Sequence, residues 1–344
     1  MSDLVSGLVE GRYAKQILFA PIGQGGQERI RQGTALIVGL GALGTVSAGI
    51  LCRAGVGRLR LVDRDFVELS NLQRQNLFDE EDADKRLPKA VAAANKLARI
   101  NSEVALEPII ADVHADNVLE IIAGASVVVD GTDNLETRFL LNDACVKMGI
   151  PWVYGGALGA TGSTMPILPG RTPCFRCLVD HLPPPGSVPS CDTEGVLAAV
   201  TSVVGALESA FALKILVGQA PDARLVTVDV WETDLQVVEL QRRQDCPACG
   251  RGEFEFLSGA RTSWTTVLCG RNAVQIVPPG EHQLDLQRLK ERLASVGEAT
   301  FNGFLLSFRA DDYELVLFPN GRAIIKGTTD EATARILYAR YVGT

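Results

Sequence analysis

From residue 34 onward the chain alternates short β-branched runs with longer stretches of helical periodicity. TALIVG (34–39) predicts a buried strand and residues 42–54 a helix. RLRLVD (58–63) predicts the next strand and residues 89–100 a second helix. VALEPII (104–110) and the wholly apolar SVVVDG (126–131) predict two more strands, ahead of a helix over 135–148. Strand, helix, strand at this rhythm predicts a mostly parallel sheet wrapped by helices. After Pro151 the glycine-rich, strand-like PWVYGGALGATGSTMPIL predicts an antiparallel extension of that sheet. Residues 182–191, LPPPGSVPSC, have no periodicity and predict an exposed crossover loop. A long helix over 194–217 and a strand at RLVTVDV (224–230) follow.

The pattern then breaks. TTVLCG, AVQIV, a helix over 285–294, GFLLSF, YELVLF, RAIIKG and a last helix from Asp330 predict a separate α+β domain. The expected organisation is a main domain over 1–255, a linker over 256–264 and a small α+β domain over 265–344. Such a domain is large enough for a modest core of its own.

Composition narrows the function classes. A formal net charge of −8 over 344 residues argues against a dedicated nucleic-acid binder, which carries a basic face. It leaves room for anionic ligands, because a phosphate site needs only a few local cations. The opening MSDLVSGLVEGRYAKQ has no basic start followed by an apolar core, so no signal peptide is expected. The most apolar stretch, GVLAAVTSVVGAL (195–207), is too short to span a bilayer and reads as a buried helix. The expected compartment is the cytoplasm, with no membrane partner.

Gly39-Leu40-Gly41-Ala42-Leu43-Gly44 fits G-x-G-x-x-G directly after a strand and at the opening of a helix. Glycines there allow a tight turn and close backbone approach, and the helix N-terminus faces a phosphate. Asp63 ends the next strand about twenty residues on, where a carboxylate can hold ribose hydroxyls. Together these predict a Rossmann-like nucleotide site, although glycines also serve tight helix–sheet packing. Arg74 and Lys89 could both reach a triphosphate, and Asn71 and Gln75 could add neutral hydrogen bonds. Asp133, in DGTDN (130–134), ends an apolar strand, the edge where ligands bind in open α/β sheets, and could hold magnesium. Taken singly, Arg74 and Lys89 could be solvated charges and Asp133 a helix cap. Their joint occurrence favours ATP.

Of eight cysteines, Cys174 with Cys177 and Cys246 with Cys249 form two C-x-x-C pairs. Four thiolates make the closed tetrahedral set of a structural zinc site; a redox pair or buried free thiols are the alternatives. Cys191 precedes a helix whose dipole could lower its pKa, and it could equally be a loop cysteine with no role. Cys52, Cys145 and Cys269 lie in apolar contexts and are expected to be packed thiols. His114, His181 and His282 fall in no motif.

At this point the chain resembles the ThiF/MoeB/HesA family, the bacterial relatives of ubiquitin-activating enzymes. The resemblance is carried by RYAKQILF (12–19), GLGALG (39–44), DRDFVELSNLQRQ (63–75), Pro88-Lys89, DGTDN (130–134), CFRC (174–177), SCDTEGVLAAV (190–200) and CPAC (246–249). It implies an adenylyltransferase that activates the C-terminal glycine carboxylate of a ubiquitin-like sulfur carrier of ThiS or MoaD type, for thiamine or molybdopterin synthesis. It implies that Gly39, Gly41 and Gly44 shape the adenylate pocket and that Asp63 binds ribose. Arg74 and Lys89 would stabilise the phosphates, and Asp133 would bind magnesium. Arg12 matches an arginine that reaches into the neighbouring subunit's site, implying a homodimer; Cys191 matches a position that in some members links covalently to the carrier. Residues 265–344 lack a rhodanese cysteine loop and are expected to dock the carrier or support the dimer. Two other readings stay open: an ATP enzyme activating another carboxylate, such as one on a modified tRNA base, and an NAD-dependent oxidoreductase.

Overall fold

The apolar runs become strands and the periodic runs become the helices that cross between them. The computed structural model describes residues 11–183, 194–258, 265–268, 272–278 and 283–342. Contacts divide the chain into two units, Met1–Asp84 with Lys89–Ala260, and Lys85–Pro88 with Arg261–Thr344.

In the first unit the strands are β1 (Thr34–Val38), β2 (Arg58–Asp63), β3 (Ala105–Ile110), β4 (Val127–Asp130), β5 (Trp152–Leu158), β6 (Thr161–Ile167), β7 (Arg224–Asp229) and β8 (Asp234–Glu239). The helices are α1 (Ala14–Ile17), α2 (Gly23–Gln32), α3 (Ala42–Ala54), α4 (Glu80–Asp84), α5 (Lys89–Ile100), α6 (Val118–Ile122), α7 (Leu135–Met148), α8 (Phe175–Leu178) and α9 (Ala198–Leu216). The eight strands form one sheet in the order β3-β2-β1-β4-β5-β6-β7-β8. Pairing is parallel from β3 through β5 and antiparallel from β5 through β8. The strand order reverses direction between β1 and β4, which creates the crevice where open α/β sheets bind ligands.

Helices cover both faces, as crossovers between parallel strands require. On one face α6, α7 and α8 bury Leu36, Val38, Val62, Val128, Trp152 and Tyr154. On the other, α3 packs between α5 and α9, and α9 lies along β4, β5 and β6. By length and composition α9 could cross a membrane. Here it is a core helix, with Val200, Val204, Glu208, Ala212 and Leu216 buried. It starts at Ala198 rather than 194, because Val196 is still extended and bridges Gly159, with Leu197 N–H donating to the Gly159 carbonyl at 2.9 Å.

α2 and β8 are among the elements that escape the sequence pattern. The glycine-rich GQGGQERIRQ is helical (α2), because Gly26 leaves room for Ile22 and Val217 while the buried Gln27 donates to the Ala54 carbonyl at 3.0 Å. β8 is exposed at all six positions, so no alternation marks it; its backbone ladder to β7 holds it.

The second unit has β9 (Thr265–Leu268), β10 (Ala273–Ile276), β11 (Glu298–Phe301), β12 (Leu306–Ala310), β13 (Tyr313–Leu317) and β14 (Ala323–Lys326), with helices α10 (Leu286–Leu293) and α11 (Glu331–Tyr341). The sheet is antiparallel, in the order β11-β12-β13-β14-β10-β9. Leu286, Leu289 and Leu293 of α10, with Ala334, Leu337 and Tyr341 of α11, bury one of its faces. Residues 85–88 belong to this unit: Asn302 donates to the carbonyls of Lys85 and Arg86, both at 2.9 Å, and Arg86 pairs with Glu314.

Asp143 on α7 is fully buried, with one oxygen accepting from Phe256 N–H at 3.1 Å and the other without a partner. Burial pushes its carboxyl up to about 6 from an ordinary 3.8. The fold therefore prefers the neutral acid. This group's contribution is complete below pH 3.8 and is lost as pH rises through 6. Asp143→Asn is expected to remove up to about 3 kcal/mol of pH dependence across that window. The check is urea unfolding at intervals from pH 4 to 8; an unchanged profile would show that Asp143 is ionised in the fold.

Candidate active site

β1 runs straight into Gly39, whose φ of +88° turns the chain back over the sheet edge. That conformation is open to glycine and strained for most other residues. Gly39 N–H donates to the Val62 carbonyl at 2.8 Å, and Gly131 N–H, after β4, donates to the Val38 carbonyl at 2.7 Å. The two turns touch. A Cβ on Gly131 would sit 2.0 Å from the Gly39 carbonyl oxygen, and one on Gly44 would sit 1.8 Å from the same atom. Gly41 caps α3 with no side chain engaged, so the helix's first amides stay free for an anion.

Asp63, at the end of β2, locks this turn from the side. One carboxylate oxygen accepts from Leu40 N–H at 2.6 Å and the other from Asp65 N–H at 2.7 Å. Burial pushes the Asp63 carboxyl up, while Lys89 and the two amides pull it back. Lys89 opens α5 with only 4% of its surface exposed. Its backbone N–H donates to the Asp65 carbonyl at 2.9 Å and its ammonium lies 3.7 Å from the Asp65 carboxylate. This buried ammonium, beside Asp65 and within electrostatic reach of Asp63, has little rotamer freedom left to lose, which would suit a phosphate partner.

Asp133 follows β4 and is exposed, with Asn134 Nδ2 at 3.5 Å from its carboxylate. Asn134, not Asp133, caps α7: its Oδ1 accepts from Thr137 N–H at 2.8 Å, a contact worth about 1 kcal/mol. The carboxylate of Asp133 is thus left for a ligand. Arg64, held by Asp112 at 3.0 Å, adds positive potential near it.

The loop after β2 places the remaining polar candidates. Asn71 is buried and closes a capping box with Glu68 over the short 3₁₀ turn Leu69–Asn71, so its side-chain oxygen already has a structural task. Gln75 is buried with Oε1 unpartnered, an acceptor left over for a ligand. Arg74 is half-buried and donates to the Ser70 carbonyl at 2.9 Å. Arg12 is not brought here. It bonds the Ile100 carbonyl at 3.0 Å and faces Glu103, at the far end of α5, about 16 Å along the helix from Lys89 at 1.5 Å per residue. Cys191, Cys269 and His282 lie outside the described residues.

The four paired cysteines converge. Cys174 and Cys246 sulfurs are 3.6 Å apart, Cys177 and Cys249 are 3.5 Å apart, and all four lie within 4.8 Å of one another. A tetrahedral ion with metal–sulfur bonds of about 2.3 Å needs sulfurs roughly 3.8 Å apart, so the set fits a metal without rearrangement. Close contacts among the four sulfurs couple their titration and, with burial, push Cys174 up. Asn142 on α7 fixes the first knuckle by accepting from Phe175 N–H at 2.8 Å. Cys52 and Cys145 are buried packed thiols, with burial pushing both up.

The sequence reading passed over Asp130 and Arg138. Asp130 has no exposed surface, and Arg138 approaches it at 3.3 Å. A charged residue closing an otherwise all-valine strand was the available signal.

Comparison with known proteins identifies the architecture. The ThiF family matches residues 13–248. The chain belongs to the ThiF family. It is 44% identical to the sulfur carrier protein ThiS adenylyltransferase of Bacillus subtilis over 336 residues, covering 97% of this chain and 99% of the relative. It is 39% identical to the sulfur carrier protein adenylyltransferase of Thermus thermophilus, covering 70% of this chain and 90% of that one. Among solved structures, E. coli MccB with ATP superposes with a TM-score of 0.62 at 21% identity, covering 73% of this chain and 77% of MccB; this likeness concerns the fold alone. As a ThiF-family chain with such relatives along nearly its whole length, this is an adenylyltransferase.

Asp63→Ala removes the acceptor for two backbone amides of the glycine turn. ATP affinity is expected to fall by about tenfold or more, the value of one to two lost charge-assisted hydrogen bonds. Calorimetric titration checks it; unchanged affinity would detach this turn from the nucleotide.

Proposed function

We propose that this chain activates the C-terminal carboxylate of a ubiquitin-like sulfur carrier of ThiS type, forming an acyl-adenylate and releasing pyrophosphate, in thiamine synthesis. The single observation that carries the ATP reading is the buried Asp63–Lys89–Asp65 group beneath the glycine turn. A nicotinamide dehydrogenase has no use for a buried ammonium there, whereas a triphosphate does. The choice of a ThiS-type over a MoaD-type carrier rests on the Bacillus subtilis relative, whose likeness extends through the second unit.

The carrier carboxylate is already ionised, so no protein base is needed. It attacks the α-phosphorus, and the bond to pyrophosphate breaks. The free amides at the start of α3 and the Lys89 ammonium hold phosphate oxygens, with Arg74 reaching from the loop after β2, where Gln75 Oε1 is left to accept from a hydroxyl or amino group of the nucleotide. These groups lower the barrier by positioning and by countering the charge that builds at phosphorus. Asp63 orients the ribose. Asp133, exposed and uncommitted, is the residue that would hold magnesium, which when bound neutralises phosphate charge.

Zinc is the metal we assign to the Cys174–Cys177–Cys246–Cys249 set, because four converging thiolates are its closed structural coordination. It ties the β6–α8 region to the end of the first unit. We further infer a homodimer in which Arg12 serves the neighbouring subunit's site. Arg12 is remote from its own site, and Leu18 and Phe19 on the same stretch are exposed apolar residues. Cytoplasmic location and a C-terminal unit that docks the carrier or supports the dimer complete the proposal, with any role for Cys191 confined to a later covalent step.

ATP–pyrophosphate exchange tests the central claim, with ThiS-type and MoaD-type carriers assayed separately. Exchange is expected with the ThiS-type carrier, reduced by about a hundredfold or more in Asp133→Ala, the scale of one lost charge-stabilising group. Exchange with the MoaD-type carrier alone would overturn the carrier assignment, and none with either, despite ATP binding, would overturn the substrate class. For the metal, Cys246→Ser is expected to take zinc from about one per chain to near zero and to lower Tm by several degrees; full zinc in the variant would refute the four-thiolate site.

A further inference from the structure

The turn that carries Asp133 is bracketed by a buried ion pair that the proposed chemistry does not touch. Thr132 N–H and its hydroxyl both donate to one Asp130 oxygen, at 2.9 and 2.6 Å. Arg138, one turn into α7, donates through Nε to the other Asp130 oxygen at 3.3 Å and through Nη2 to the Thr132 carbonyl at 2.6 Å. The Thr132 carbonyl belongs to the peptide bond that joins Thr132 to Asp133. Both ends of residue 132 are therefore held, the amide by Asp130 and the carbonyl by Arg138. Gly131, against Gly39, fixes the preceding residue to the glycine turn, and Asn134 fixes the following one to α7.

The surroundings leave this pair its own charge balance. Gly155 N–H also donates to Asp130, and Arg138 lies 5.5 Å over the Tyr154 ring. From the opposite side of the sheet the fully buried Glu208 reaches in beside Gly155, where a Cβ would be 2.0 Å from its Oε1. Burial pushes the Glu208 carboxyl up, and Asp130 is the carboxylate in direct contact with Arg138. A buried ion pair gives little net stability over an apolar replacement. Its value here is geometric.

We propose that Asp130 and Arg138 are positioning residues that set the peptide plane leading into Asp133 and so aim its carboxylate at the nucleotide phosphates. The proposal rests on Asp133 acting at those phosphates, as argued above.

Arg138→Lys separates positioning from support of the fold. Lysine keeps the charge beside Asp130 but cannot also span to the Thr132 carbonyl, because it lacks the planar fork. The experiment is a double-mutant cycle in ATP–pyrophosphate exchange with Arg138→Lys, Asp133→Asn and the double variant, alongside ATP titration and thermal unfolding. Expected is a fall in kcat of about tenfold or more for Arg138→Lys, with KM for ATP changed by less than about threefold, since displacement of a positioned group acts on kcat. In the Asp133→Asn background the same substitution should change kcat by less than about twofold, because residues acting through one another are non-additive. A full, independent effect of Arg138→Lys in that background would overturn the proposal. So would wild-type kcat in Arg138→Lys while Asp133→Asn is impaired. Unimpaired Asp133→Asn would instead defeat the reading of Asp133 itself. If Arg138→Lys does not fold, Thr132→Val, which removes one donor to Asp130, runs the same cycle with the same criteria.

Discussion

The Gly39 and Gly131 turns approach each other as bare backbone, with room for no side chain between them, and the site is assembled around that contact. It places the end of β1 beside the end of β4 at the reversal of strand order. Asp63 bonds across from β2 to hold the first turn, and Asp130 with Arg138 holds the second. Lys89, Asp63 and the free amides of α3 then surround one side of the crevice, while Asp133 projects from the other. A methyl group at Gly44 or Gly131 would collide with the Gly39 carbonyl, so the fold reaches this geometry only with glycine at those positions.

The arrangement explains how an adenylating site works without a protein nucleophile. Each charged group is committed in advance. Asp63 has two amide donors, Lys89 pairs with Asp65 within electrostatic reach of Asp63, and Arg138 bonds Asp130 and Thr132. Groups fixed before substrate arrives need no reorganisation as charge develops, which is where electrostatic catalysis gains its advantage over water. Asp133 is the exception, exposed and nearly free of contacts, as suits a ligand for a cation that arrives with the nucleotide.

Away from the crevice, stability is invested in fixed cross-links. The thiol cluster joins segments some seventy residues apart, and the aromatic group of Phe139, Phe175 and Phe256 packs beneath it, with ring centroids 4.8 and 5.3 Å apart. Asn142 and Asp143, adjacent on α7, bond the backbone at Phe175 and Phe256 respectively, so a single helix registers the first knuckle and the segment that follows the second. The same helix carries Arg138 at its other end. α7 therefore connects the four-thiol end of the unit to the turn that carries Asp133.

The sequence by itself determined the parallel core, the glycine turn, the thiol pairs and the separate C-terminal α+β pattern. Those features are encoded locally: strand and helix periods differ, G-x-G-x-x-G needs its spacing, and C-x-x-C places two sulfurs on one turn. Helices 42–54 and 135–148 were legible to the residue for that reason. Only the tertiary structure decided what depends on contacts distant in the chain. β8 has no alternation to read, because both of its faces are exposed. Gly26 of α2 is fixed by Ile22 and Val217, which close on it. The Asn71 oxygen closes a cap over its own turn, and Arg12 bonds the far end of α5. The Asp130–Arg138 bracket joins a strand end to a helix turn through one peptide carbonyl, and residue identity alone cannot specify a bond to the backbone.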